Sequence, residues 1–123
     1  MAHGYLRKIL FKQANIYSAG IEKHGLNPYA VLVMKMDGVD ISSNSSNLFD
    51  EYMSIEFDYI ITVCDHANET CPYIPSKNAL RIHKNFIDPS ATKIEDEDEK
   101  ILKYVNCRDE IRDFCIDFKQ KNF

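Results

Sequence analysis

No apolar run in this chain approaches the roughly 18 residues that a bilayer span requires, so no membrane span is expected. The opening residues, Met1-Ala2-His3-Gly4-Tyr5-Leu6-Arg7-Lys8, lack the apolar stretch of a secretory signal. An excess of positive charge is missing too. Fifteen Lys+Arg stand against 19 Asp+Glu, a net charge of -4, which excludes a general attraction to nucleic acid. There is no internal repeat, no low-complexity linker and no break in composition, so residues 1–123 read as one domain. What remains is 123 residues, 45% hydrophobic and 28% charged. A chain of that size builds a single core without disulfide or metal staples. A reducing cytoplasmic location is expected.

That location bears on the four cysteines, Cys64, Cys71, Cys107 and Cys115. A structural disulfide framework is not expected there, and two reactive thiols among the four are. For the same reason the sequons Asn44-Ser45-Ser46 and Asn68-Glu69-Thr70 read as chance matches.

Ala2, Tyr5, Leu6, Ile9 and Leu10 recur at helical spacing and predict a helix from the start to about Phe11, with no visible N-cap. Asn15 to Gly20 reads as a short strand. Asn27-Pro28 opens a second helix with a capping residue and a proline at its first position, and Gly38 closes it. Ser45 or Ser46 caps a third helical turn through Leu48, Tyr52 and Met53. Phe57 to Val63 is the best strand, and its apolar run from Tyr59 predicts cover on both faces. A loop with Pro72 and Pro75 follows, then a short strand near Ala79 to His83 and a turn at Asp88-Pro89-Ser90. A long helix runs from about Asp96 to Lys119, with an apolar stripe of Ile101, Tyr104, Val105, Ile111, Cys115 and Phe118. This order predicts an α/β domain with a mostly parallel sheet, lacking the strand that such a sheet wants before its first helix.

The spacing Cys64-x6-Cys71 carries most of the chemical information. Cys64 follows the best strand directly, and the carboxyl ends of strands are where open α/β sheets place their ligands. The polar connector is short enough for two thiols to meet, as a redox pair requires: one thiolate attacks and the second resolves the disulfide. A zinc site would want a second close ligand pair, which His66 alone does not supply. The competing reading is two incidental loop cysteines, and on spacing alone it has the edge. Asp88-Pro89 after a strand places a carboxylic acid at the same rim, suited to protonating a leaving oxygen. Standing alone, it reads first as a turn. Glu95 to Glu99 are five acids at a helix N-terminus, a solvated cap. Cys115 reads as core and Cys107 as an edge spectator. His3, His24, His66 and His83 show no ligand spacing and read as surface or packing residues. No cofactor and no resident metal are expected.

Several stretches resemble the thioredoxin-coupled arsenate reductases, which are built on the low-molecular-weight tyrosine phosphatase fold. They are Ile16 to Glu22, His24-Gly25-Leu26-Asn27-Pro28, Val39 to Ser42, Asp58 to Cys64 with Cys71-Pro72, Phe86 to Pro89, and Arg108 to Ile111. The resemblance runs over essentially the whole chain in the right order. It implies a three-layer, flavodoxin-like α/β fold: a small parallel sheet flanked by helices. It also implies a cysteine relay. In the family, a Cys-x5-Arg-Ser loop cradles arsenate on backbone amides, and its thiolate attacks arsenic. Asp88 matches the aspartate that protonates the leaving oxygen. Cys64 matches the cysteine that releases arsenite, and Cys71 the one that closes a disulfide for thioredoxin.

The departures from the family are specific. The Met-Ala-x-Gly that opens this chain follows the Arg-Ser of the nucleophile loop in the family. Met1 is therefore expected to be internal, with one strand and that loop, roughly twenty residues, ahead of it. The literal 123-residue chain is expected to show negligible arsenate reduction and low stability, since a sheet strand would be left with an open edge. His3 and Asn47 replace acidic residues that help hold a monovalent cation in some members, so no such cation is expected. His83-Lys84-Asn85-Phe86 lacks the tryptophan common before the aspartate. Two alternatives stand beside the reductase: a phosphatase acting on phosphotyrosine, and a non-catalytic remnant.

Overall fold

The computed structural model describes residues 1–18, 27–42, 52, 54–63, 78–84, 86 and 95–123. These fall into two compact units. One holds residues 1–17, 27–42 and 95–123 and is helical; the other holds the strands.

In the helical unit, α1 spans Ala2–Ile9 and starts without a side-chain cap, as the sequence predicts. Arg7 and Lys8 lie in its last turn, where cations complement the helix dipole. Lys119 Nζ donates to the Ile9 carbonyl at 3.2 Å and satisfies one of the acceptors left open at that end. The chain then turns through Lys12, whose φ is 64°.

Helix α2 spans Pro28–Met36 and has both expected boundary signals. Asn27 Oδ1 accepts from the backbone amides of Tyr29 at 2.9 Å and Ala30 at 3.4 Å, with Pro28 in the first turn, where its missing N–H costs nothing. At the other end Gly38 takes φ 78°. Its amide donates to the Lys35 carbonyl at 3.0 Å, and that of Val39 to Met34 at 2.9 Å. This is a Schellman closure, and its hydrophobic partners Val39 and Met34 are both buried.

Helix α3 spans Glu97–Asn122. Its buried stripe is Tyr104, Cys107, Arg108, Ile111, Cys115 and Phe118, against which α1 and α2 both pack. Leu10, Val33, Met34 and Cys115 are the most deeply buried side chains. Each large apolar residue so enclosed contributes on the order of 1.5–3 kcal/mol. The helix runs past the expected end at Lys119 because its last turn has its own ties. Asn122 Nδ2 donates to the Phe118 carbonyl at 3.0 Å, and the Phe118 and Phe123 rings lie 6.0 Å apart.

The strand unit holds β1, Tyr59–Thr62, and β2, Leu80–His83, paired parallel in the register Tyr59↔Leu80 through Thr62↔His83. Two expectations change here. The best strand is shorter than 57–63, and its residues are half buried rather than covered on both faces. The strand expected from Asn15 is not formed over 15–18: among the described residues the only ladder is β1–β2, and a strand without a ladder partner is not held. Of the third helical turn, Tyr52 lies in a short turn closed by the Ile55 amide on its carbonyl at 3.1 Å; Ser45, Ser46, Leu48 and Met53 lie outside the described residues.

Candidate functional site

Cys64, Cys71 and Asp88 lie outside the described residues, as do His24, His66 and the turn after Asp88. What the structure does describe is the end of the sheet from which the segments bearing them depart. Parallel pairing puts the carboxyl ends of β1 and β2 side by side. Thr62 Oγ1 lies 2.6 Å from His83 Nδ1 across that end, and the Lys84 amide donates to the Thr62 carbonyl at 2.9 Å. Cys64 follows Thr62 by two residues in the sequence, and Asp88 follows His83 by five.

The other two cysteines are accounted for. Cys107 and Cys115 are buried on α3 as free thiols. Cys115 Sγ donates to the Ala2 carbonyl at 3.9 Å, and burial pushes its thiol up to about 11. Such a group is a poor nucleophile near neutral pH. Cys107 is enclosed rather than at the stripe's edge, a change from the sequence reading.

Sequence reasoning did not find the polar cluster of the helical unit. Tyr5 donates to Asp37 Oδ2 at 2.6 Å, and Arg112 Nη1 reaches the same oxygen at 3.2 Å. Arg108, buried, donates to the Val33 carbonyl at 3.0 Å and pairs with Asp109 at 2.8 Å. Its location on the stripe has one sequence signal, the helical spacing from Tyr104 and Ile111, which its charge argues against. The chemistry of this cluster is that of a structural tie, since every polar group named has a partner within the unit.

A shallow open cavity of about 410 Å³ lies along α1 and the residues after it, and His3, Arg7, Phe11, Lys12, Asn15 and Tyr17 line it. The His3 imidazole is held below its ordinary range by burial and by the neighbouring Arg7 cation. Among the described residues no group of three His, Cys, Asp or Glu side chains comes together as a metal site, and no helix is long and apolar enough to cross a membrane.

The sequence profile of the low molecular weight phosphotyrosine protein phosphatase family matches residues 1–121. An arsenate reductase of Halalkalibacterium halodurans is 43% identical over 111 residues, which cover 90% of this chain and 78% of that protein. Arsenate reductase 2 of Staphylococcus haemolyticus is 39% identical over 121 residues, 98% of this chain and 86% of that one. A solved structure described as an arsenate reductase in oxidized state superposes with a TM-score of 0.80 at 18% identity, covering 98% of this chain and 86% of that one. That likeness shows the α/β fold expected from the sequence. The two relatives compared above are named arsenate reductases, and the chain belongs to the low molecular weight phosphotyrosine protein phosphatase family.

Proposed function

We propose that this protein is a cytoplasmic arsenate reductase that converts arsenate to arsenite and is recycled by thioredoxin. The observation that carries the reading is the similarity to proteins named arsenate reductase, at 39% identity over 98% of the chain. The Cys64-x6-Cys71 pair supports it, because a second and third thiol distinguish a reductive relay from simple phosphate-ester hydrolysis.

A first thiolate bonds to arsenic, and water leaves from arsenate with a proton supplied by Asp88. The Cys64 thiolate then attacks the sulfur bonded to arsenic. The sulfur–arsenic bond breaks, arsenic keeps the electron pair, and arsenite departs as the trivalent product. Cys71 attacks the resulting mixed disulfide, closing Cys64–Cys71 and freeing the first thiol. Thioredoxin supplies the two electrons that reopen it. The first thiol belongs to a Cys-x5-Arg loop, a pattern that none of the four cysteines begins.

The test pairs an intact mass with an assay. Protein isolated from its own cells is weighed against the 14.3 kDa of the 123 residues and sequenced from its N-terminus for a Cys-x5-Arg peptide. That protein is then given arsenate, thioredoxin, thioredoxin reductase and NADPH. Sustained arsenite production, lost in Cys64→Ser and in Cys71→Ser, is the expected result. Hydrolysis of a phosphotyrosine peptide that survives both substitutions, without arsenite, would establish the phosphatase instead. Neither activity in the cellular protein would leave a non-catalytic member of the family.

A further inference from the structure

We propose that the cavity along α1 binds a small aromatic anion, with Arg7 and Lys12 taking its charged group and Phe11 and Tyr17 its ring. The inference is independent of the reductase reading. The cavity measures about 410 Å³. A volume of that order accommodates an organic body as well as a charged group. Among the described residues no acidic side chain lines it, whereas Arg7, Lys12, the Asn15 amide and the two rings do. On a chain of net charge -4 this is a local reversal of sign. Both rings are open to an incoming ligand: Phe11 is 71% exposed and Tyr17 46%.

One continuous stretch of chain builds the site. His3 and Arg7 stand one turn apart on a single face of α1, and Phe11 follows at the same spacing. Lys12 then turns the chain in the left-handed backbone region, at φ 64°, and residues 14–17 return to the cavity. A side chain is strained at that backbone geometry and a glycine is not. The lysine there puts its ammonium 5.5 Å from the centre of the Phe11 ring, so cation and ring stand together at the wall. A guanidinium fork and an ammonium suit a phosphonate or phosphate group, and a ring face suits a planar partner. After burial, Arg7 is the largest influence on the His3 imidazole, so an anion drawn to Arg7 is sensed at His3. The cations are exposed and water screens them, which makes the binding weak and readily reversed.

The test uses the full chain with isotope-labelled histidines, and His3→Gln assigns the His3 signals in its NMR spectrum. Phenylphosphonate, whose carbon–phosphorus bond resists hydrolysis, is titrated in beside methylphosphonate and the neutral benzyl alcohol. The His3 signals are expected to shift saturably with phenylphosphonate and to stay still with benzyl alcohol. Methylphosphonate should bind about fivefold more weakly, and Phe11→Ala should erase that preference. Arg7→Gln and Lys12→Gly should each weaken phenylphosphonate about tenfold. Lys12→Gly should do so without lowering the thermal midpoint, since glycine takes the left-handed turn freely. A merely structural lysine would not separate the two readouts. His3 signals that ignore phenylphosphonate overturn the inference. So does a shift that Arg7→Gln and Lys12→Gly leave undiminished, or equal affinity for the methyl and phenyl compounds. Binding sensed at His3 in a protein that makes no arsenite overturns the reductase reading while upholding this one.

Discussion

Tyr5 on α1 donates its hydroxyl to Asp37, the residue that caps α2, at 2.6 Å, and Arg112 of α3 reaches the same carboxylate oxygen at 3.2 Å. Three helices meet on one oxygen. The Tyr5 bond, followed by that of Arg112, holds the Asp37 carboxyl below its ordinary range, while burial and the same bond push the Tyr5 hydroxyl up. A carboxylate whose folded pKa is depressed adds stability above its unfolded value near 3.9, and the gain is lost as pH falls through the folded value. Tyr5→Phe is therefore expected to cost about 1–2 kcal/mol at pH 7, the range of a charge-assisted hydrogen bond that water partly screens. Urea unfolding at pH 7 and near pH 2.5 should show that penalty shrinking in acid. An equal penalty at both pH values would contradict the assignment.

Gly4 sits inside α1 where a methyl group has no room. A Cβ there would lie 2.6 Å from Ile41 Cγ2 and 3.2 Å from both Met34 Cε and Val39 Cγ1. Met34 ends in a flexible thioether and can yield, but Ile41 is β-branched and buried. Gly→Ala in an open helix gains up to about 1 kcal/mol. Here overpacking should reverse the sign and destabilise by about 1–3 kcal/mol. Thermal unfolding of Gly4→Ala, Ile41→Ala and the pair checks this, with the double variant expected to cost less than the sum.

Asn27 does two separate jobs with its two side-chain ends. Oδ1 caps α2, while Nδ2 donates to the Tyr104 hydroxyl on α3 at 2.9 Å. Asn27→Ala loses both and should cost about 1–2 kcal/mol. Asn27→Asp keeps a capping oxygen, and the Tyr104 hydroxyl can turn to donate to it, so this variant should lie within about 0.5 kcal/mol of wild type. Denaturant midpoints that rank Asp with Ala would place the energy in the Nδ2 donor instead.

The features that could be read from the sequence are those whose cause lies within a few residues. Asn27-Pro28 and Gly38 bound α2 because a cap and a left-handed closing residue act on amides and carbonyls next to them. The α3 stripe is legible as a 3.6-residue period. The Tyr5–Asp37–Arg112 tie is not, since its members lie 32 and 75 residues apart and no periodicity connects them. Arg108 escaped for a related reason: a guanidinium on an apolar stripe reads as surface until the Val33 carbonyl that receives it is known. The segment after Asn15 fails in the opposite direction. Its residues favour a strand, but a strand is a property of a pair, and the described residues hold only the β1–β2 ladder. Of the proposed site, the Cys64-x6-Cys71 spacing is legible, whereas the Thr62–His83 contact depends on a register that residues 59–62 and 80–83 reveal only once paired.

The division of labour among the thiols can be tested without assuming any turnover. Cys115 has no measurable exposure, and burial pushes its thiol up to about 11. At pH 8 only about one molecule in a thousand would carry the reactive thiolate there. Cys107 is enclosed on the same face of α3. Native protein treated with iodoacetamide at pH 8 should therefore remain unmodified at both positions over times in which a free peptide thiol reacts fully. Both should label once urea unfolds the helices, and peptide mass mapping distinguishes the sites. Cys107→Ala and Cys115→Ala should also leave arsenite production unchanged wherever the protein is active, apart from the stability lost with buried volume. Rapid native labelling of Cys115 would mean that α3 parts from α1 far more often than a thiol packed on the Ala2 carbonyl allows.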